Sequence, residues 1–310
     1  MEELTPGIRR ITFPLPFGID HVHCYLLRAS SGAWTLVDTG LGSRDPEKKW
    51  RPVLDSLDAP IERIVVTHMH PDHVGGVGDI AAITGAPVLQ GRDDFTQCLA
   101  AWGTGRSLPR LAEYWLAHGL PRPLFEEMQR ERDDLGAAVH FVPDPQLVEA
   151  GDDIDGWRVE VMRGHADGHI VLVRDGVLIA GDVVLAGITP TVGLYPNSRP
   201  DPLEDFFATL DRVEAMNLRV AYTGHRQEIH EPAKRAREIR AHHIDRLERA
   251  LVTLDGTPRT AYEVSLALFP SELAPVQRRF ALAESLAHLE RLVYAGRIMR
   301  ADGGYVRLDS

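Results

Sequence analysis

Ile64-Val65-Val66-Thr67-His68-Met69-His70-Pro71-Asp72-His73 decides how this chain is read. A short apolar run of strand character leads straight into three histidines and an aspartate within six residues. Ordinary packing has no use for that density of imidazole and carboxylate, whose burial is costly without compensation. A transition metal does. Neutral imidazole suits zinc, iron and manganese-class ions, and a carboxylate adds a hard, charge-neutralising oxygen. His68 and His70, two apart, can leave one side of a turn together, while Asp72 and His73 turn towards a second ion. The stretch reads as half of a two-metal site, whose other half must come from farther along the chain.

Three later strand ends answer it. Gly164-His165-Ala166-Asp167-Gly168-His169 follows the β-run Val159-Glu160-Val161-Met162. Ala180-Gly181-Asp182 follows Val177-Leu178-Ile179, and Thr223-Gly224-His225 follows Val220-Ala221-Tyr222. Each sets a His or Asp beside a glycine that lets the backbone turn sharply. Neighbouring strand ends converge on one sheet edge, a rigid support for a site.

The set THMHPDH, GHADGH, AGD and TGH, with Val37-Asp38-Thr39-Gly40 upstream, resembles the metallo-β-lactamase superfamily over residues 8–231. The resemblance implies an α/β fold, an αββα sandwich of two mixed sheets face to face with helices outside. It implies that His68, His70 and His165 bind one metal, that Asp72, His73 and His225 bind a second, and that Asp182 bridges them. Asp38 and His169 match positions that support the ligands. True β-lactamases of the superfamily generally lack the bridging aspartate, so antibiotic hydrolysis is not the expected activity. Flavodiiron proteins put glutamate for the second histidine and add a flavodoxin domain; this chain does neither. The tail, with Phe280-Ala281-Leu282-Ala283-Glu284-Ser285-Leu286-Ala287-His288-Leu289, resembles the lactamase-B-like protein 2 group, related to a mitochondrial endoribonuclease.

At 310 residues, 44% hydrophobic and 25% charged, the chain suits a large core plus a smaller module. No apolar run approaches the roughly 20 residues of a membrane span. Met1-Glu2-Glu3-Leu4-Thr5-Pro6 carries no secretory pattern, and Cys24 and Cys98 make no disulfide framework. A cytoplasmic location is expected. Charge is uneven: residues 1–231 hold 21 Lys and Arg against 35 Asp and Glu, and residues 232–310 hold 13 against 10. Nucleic-acid binders usually show a clear basic excess; only the tail leaves RNA open as a partner.

The element pattern is β-α-β to residue 91, with strands at Ile8 to Phe13, His21 to Arg28, Ala33 to Asp38, Ile61 to Thr67 and Pro87 to Leu89. Helices fit residues 45–58, begun by Asp45-Pro46, and the stretch opened by Val74-Gly75-Gly76-Val77-Gly78. Residues 92–135 read as a helical insertion. Strands return at Val139 to Val142, Trp157 to Met162, Ile170 to Val173 and Val177 to Ala180, and suggest a second sheet. A helix at Leu203 to Met216 and a strand ending Ala221-Tyr222-Thr223 complete the catalytic domain, 1–231. Residues 232–310 then give helices at 232–252, Ala261 to Phe269 and Pro275 to Tyr294, and a hairpin around Ala301-Asp302-Gly303-Gly304, a winged-helix-like domain.

The expected chemistry is hydrolysis of a small ester, thioester or lactone-like substrate by a hydroxide between two divalent ions, zinc first, with iron or manganese also accepted. Asp72 is the candidate to move the proton of the attacking water, and Asp182 to bridge. Two alternatives stay open: an endoribonuclease or phosphodiesterase that uses the tail, and a mononuclear iron dioxygenase on His68, His165 and Asp182. The insertion is expected to act as a lid, with Trp102, Tyr114 and Trp115 as apolar wall and Tyr195 as a substrate contact. Its aromatics equally suit a dimer contact. His118, His140, His230, His242, His243 and His288 read as ordinary core or surface residues; His21 and His23 lie near the strand beneath the site.

Overall fold

Period-two alternation in the strands builds two cores at once. In β3 (His21–Arg28), Cys24 and Leu26 join an outer core while Tyr25 and Leu27 face inward. The computed structural model describes residues 1–16, 18–104 and 108–308. Strand β3 sits in a seven-stranded sheet ordered as in the chain, with β1 (Glu2–Thr5), β2 (Ile8–Pro14), β4 (Trp34–Val37), β5 (Ile61–Val66), β6 (Val88–Gly91) and β7 (Gln146–Val148). The pairs from β1 to β4 are antiparallel and those from β4 to β7 parallel.

The second sheet holds β8 (Asp153–Ile154), β9 (Trp157–Val161), β10 (Ile170–Arg174), β11 (Val177–Gly181) and β12 (Val220–Thr223), in the order β12-β11-β10-β9-β8. The inward faces meet in a core of Tyr25, Val37 and Val65 against Trp157, Leu172 and Ile179. Outside the first sheet lie α1 (Pro46–Leu54), α3 (Val77–Thr84) and α4 (Arg92–Trp102), which cover Leu36, Ile64 and Val66 with Trp50, Ile80 and Cys98. Outside the second lie α7 (Pro202–Ala215) and the first half of α8 (Pro232–Val252), with Phe206, Leu210, Ala236 and Ile239 over Val171 and Leu178. Helix, sheet, sheet, helix is the expected sandwich. Strands buried on both faces read as near-continuous apolar runs.

The remaining helices are α2 (Pro71–Val74), α5 (Leu108–Ala117), α6 (Arg122–Gly136), α9 (Ala261–Leu268) and α10 (Pro275–Tyr294), followed by a hairpin of β13 (Ile298–Ala301) and β14 (Gly304–Arg307). A separate core unites Trp115, Leu120 and Met128 of the insertion with Ala250, Val264, Leu282 and Leu286. Helix α8 thus serves two cores, and the expected boundary after residue 231 falls at its start.

One expected strand is absent. Val139 to Val142 joins no ladder; His140 instead exchanges backbone bonds with helix-flanking glycines, donating to Gly75 O (2.7 Å) and accepting from Gly78 N (2.6 Å). Gly78 has no room for a Cβ there, which would lie 2.6 Å from His140 O. The strand that extends the sheet comes later, at β7, parallel to β6. Helix α1 starts as expected, with Asp45 accepting from Lys48 N at 3.0 Å, but ends at Leu54. Among the described residues no helix is long and apolar enough to cross a membrane.

Candidate metal centre

The ends of β4, β5, β9, β11 and β12 bring their following residues to one edge of the sandwich. Asp38, just past β4, adopts φ 60°, a left-handed conformation that aspartate tolerates at some cost. From there its Oδ1 accepts from Thr67 N (2.8 Å), and its Oδ2 accepts from Thr67 Oγ1 (2.7 Å) and His73 Nδ1 (2.8 Å). Thr39 closes the other side of that turn, donating its N–H and hydroxyl to His73 O.

The second nitrogen of each imidazole fixes which atom is left over. His68 Nδ1 meets Thr67 Oγ1 at 3.0 Å; because that hydroxyl donates to Asp38, it accepts from the ring. His165 Nδ1 donates to Thr191 O (2.8 Å), and His225 Nδ1 donates to His21 O (2.7 Å). With His73 Nδ1 on Asp38, the Nε2 atoms of His68, His73, His165 and His225 are bare lone pairs. His70 Nδ1 lies 3.1 Å from His68 Nε2 and 2.8 Å from His165 Nε2, and one ring proton can serve only one of them. His73 Nε2 and Asp182 Oδ1 are both buried without a hydrogen-bond partner, 3.5 Å apart. His225 Nε2 faces Asp72 Oδ2 and Asp182 Oδ2, each at 3.3 Å.

Acceptors therefore face acceptors throughout, which is costly in a buried site. Positive charge placed among them removes the conflict, so the donor set fits metal cations. Titration expresses the same demand. Burial and neighbouring imidazoles keep His68 and His70 neutral, His70 lowered to about 3. Burial would also lower His225, but Asp182 and Asp72 more than offset it and push it up to about 10. The clusters are His68, His70 and His165; His68, His73 and Asp182; and Asp72, His73 and His225.

Glycines make the room. A Cβ on Gly224 would lie 2.3 Å from Asp182 Oδ1 and 2.6 Å from His73 Cε1. His169, stacked on His68 at 4.4 Å, accepts from the Asp182 backbone N–H (3.1 Å), so it holds the carboxylate's backbone rather than joining the cluster. His21 and His23 brace the 224–226 turn: His21 accepts from Arg226 N, and His23 donates to Arg226 O.

Two of the insertion's aromatics donate to backbone carbonyls. Trp102 Nε1 donates to Met69 O (2.8 Å), between the first two histidines. On the same face of α4, Asp94 accepts from Met69 N (2.9 Å) and from Gln90 Nε2 (2.6 Å); burial pushes its carboxyl up to about 8. Asp94 carries no ligand motif in the sequence, and its partners are a backbone N–H and a side-chain amide. Tyr114 donates its hydroxyl to Leu194 O (3.2 Å). Trp115, expected as part of an apolar wall, is 2% exposed and lies inside the core shared with the tail. Tyr195 is half-buried, its ring 6.0 Å from that of Trp115.

A sandwich with clustered histidines and aspartates at its strand ends defines a metal-dependent hydrolase. The Metallo-beta-lactamase superfamily model matches residues 17–225, and a Metallo-beta-lactamase-like C-terminal domain model matches residues 247–309. The chain belongs to the metallo-β-lactamase superfamily. It is 26% identical to a probable metallo-hydrolase, YqjP, of Bacillus subtilis strain 168, over 93% of this chain and 92% of the relative. It is 25% identical to a beta-lactamase-like protein 2 homolog of Caenorhabditis elegans, over 81% and 72%. An atrochrysone carboxyl ACP thioesterase of Passalora fulva is 24% identical over 82% and 63%. Among solved structures, a metallo-β-lactamase family protein of Thermus thermophilus superposes with a TM-score of 0.87 at 35% identity, covering 99% of this chain and all of that one.

Proposed function

We propose that the chain is a two-metal hydrolase of a small ester, thioester or lactone. The acceptor-rich shell carries the reading: His68, His70 and His165 would hold one ion, Asp72, His73 and His225 the other, and Asp182 both. When bound, two divalent ions, zinc first, supply Lewis acidity to the substrate carbonyl and lower the pKa of water from about 15.7 towards neutrality.

The chain's own residues do the rest. Asp38, Thr191 and His21 fix the tautomers of His73, His165 and His225. Asp72, whose side chain is 17% exposed against 8% for Asp182, is the carboxylate best placed to take a proton from attacking water at the cleft. The thioesterase name of the Passalora relative favours an acyl substrate.

A nuclease reading ranks second because the tail's cations are mostly spent. Of thirteen Lys and Arg in residues 232–310, all but Arg279 and Arg307 have an ion-pair or carbonyl partner among the described residues. Few are left for phosphate contacts.

The test is a panel of ester, thioester, lactone, phosphodiester and RNA substrates with metal-quantified protein. Close to two ions per chain, acyl hydrolysis and no oxygen uptake are expected, the last separating a hydrolase from an iron dioxygenase. Chelation should abolish turnover, and Asp182→Ala should lose metal and rate together. Full turnover after complete metal removal overturns the reading.

A further inference from the structure

Arg279 stands apart from the paired cations of the tail. It sits in the second turn of α10, half-buried, with Nε sealed from solvent and without a hydrogen-bond partner. Among the described residues its guanidinium makes no hydrogen bond and no ion pair; its one recorded contact is with the ring of the adjacent Phe280, at 5.1 Å. An acid that acts on it is Glu131, whose Oε2 accepts from the Val276 backbone N–H (3.1 Å) at the start of α10. Burial lowers the affinity of Arg279 for its proton, and among the described residues Tyr195 and Glu131 oppose it. A cation so desolvated and so poorly compensated is expensive to keep in a fold.

Its location suggests what compensates it. The segment after Asp182 runs past Thr191, which orients His165, to Leu194, whose N–H donates to Ala283 O (2.9 Å), one turn after Arg279. A Cβ on Gly193 would meet Tyr195 at 2.7 Å and Ala283 at 3.0 Å, so the Tyr195 ring, the turn and α10 are in close contact. On the other side, Gln277 reaches to within 3.8 Å of a Cβ on Gly18, in the loop that leads to His21 and so to His225. The first turns of α10 thus lie between the two loops that flank the His/Asp cluster.

We propose that Arg279 anchors an anionic group of the substrate, a carboxylate or a phosphate, at the Tyr195 end of the cleft and away from the reacting carbon. The planar guanidinium fork matches either oxyanion with two parallel hydrogen bonds. That the anion belongs to a substrate rests on the proposed hydrolase function. The tail's contribution is then recognition of an acid on a small molecule, made by one arginine, rather than a nucleic-acid surface.

The metal-loaded full chain and its Arg279→Met and Arg279→Lys variants are titrated with glutarate and with inorganic phosphate by calorimetry. Binding of one of the two to the native chain, weakened at least tenfold in Arg279→Met and partly kept in Arg279→Lys, is expected; the anion that binds names the group. Anion bound directly at the metals contributes alike to all three proteins. Thermal melting checks that the variants fold, and Arg279→Lys keeps the test valid should Arg279→Met not. Equal binding by the three proteins, or none by the native chain, overturns the proposal. A matched thioester pair, with and without a terminal carboxylate on the acyl group, gives a second reading. The ratio of kcat/KM for the acidic over the neutral member should fall at least tenfold in Arg279→Met. No turnover of either by the metal-loaded native chain would count against the hydrolase, while a difference in anion binding would still stand for Arg279.

Discussion

Met69 is no member of the His/Asp cluster, yet its backbone N–H and carbonyl are both held from α4, by Asp94 and by Trp102. His68 and His70 flank it, so their separation depends on those two bonds. Asp94→Ala leaves the Met69 N–H and the Gln90 amide without their buried acceptor, which costs about 1–3 kcal/mol per unsatisfied group. The expected outcome is a lower melting temperature together with about 10–100-fold weaker metal binding, the range for groups that orient ligands. Metal content after dialysis against a graded chelator checks it; a variant that melts lower but holds metal as tightly would make Asp94 a packing residue only. The cluster residues are legible in sequence because each carries its chemistry in its own side chain, and His165, Asp182 and His225 also stand beside a glycine just past a strand. Asp94 is not, because its partner is a backbone group 25 residues away and nothing local marks it. Trp102 stands out in sequence as an aromatic, but nothing local marks the bond of its indole N–H to Met69 O.

Between elements, the seam of α8 and α10 shows the same limit. His243 and His288 read as ordinary in sequence, yet both are buried with Glu284 where the helices cross. His288 donates from Nδ1 to Glu284 O (2.7 Å) and accepts at Nε2 from His243 Nδ1 (3.2 Å), while Arg246 pairs with the Glu284 carboxylate. Burial pushes Glu284 up to about 7 despite Arg246, and holds His243 near 2 and His288 near 3. The groups facing Glu284 are Arg246 and His243 of α8 and His288 of its own helix. A carboxyl whose folded value lies above its unfolded 4.5 binds its proton more tightly in the folded state. Its stabilising contribution is complete below about 4.5 and is lost as pH rises through about 7. The two histidines act in the opposite sense below about 6.5, but they are present in both proteins compared. Relative to the native chain, Glu284→Gln should therefore gain melting temperature between pH 5 and pH 8; a constant difference across that range would show that Glu284 does not titrate there. Element starts are legible at α8 and α10, each begun by proline at its first helical position. The two-to-four-residue strands β1, β7 and β8 are not, because so few residues show no period. Val139 to Val142 misleads because its apolar residues pack on the outer core while its backbone bonds go to Gly75 and Gly78.

Across the whole molecule, the tail and the sandwich are joined through the segment between Asp182 and α7. Arg235 of α8 donates to Leu185 O and Ile188 O (2.7 Å each), Ala283 O of α10 accepts from Leu194 N (2.9 Å), and Arg291 pairs with Asp201 at the start of α7 (2.7 Å). The same segment carries Thr191, which sets the tautomer of His165. Helices α5 and α6 of the insertion close the joint by burying Trp115, Leu120 and Met128 against Leu282, Leu286 and Leu289. Pairings between segments more than a hundred residues apart leave no mark in local sequence, which is why the insertion reads as a lid. The joint predicts that the catalytic portion does not stand alone. A chain ending at Val252 would lose α9, α10 and the hairpin, expose the apolar faces of α5 and α6, and release Leu194 and Asp201. The expected result is aggregation, or a broadened melt with dye-binding apolar surface and weakened metal retention. Restoring residues 253–310 as a separate chain should recover part of the metal binding if the joint is what positions His165. A truncated protein that melts sharply, holds metal and hydrolyses as the full chain does would show instead that the tail is an appended module, and would remove the ground for reading α10 as one wall of the cleft.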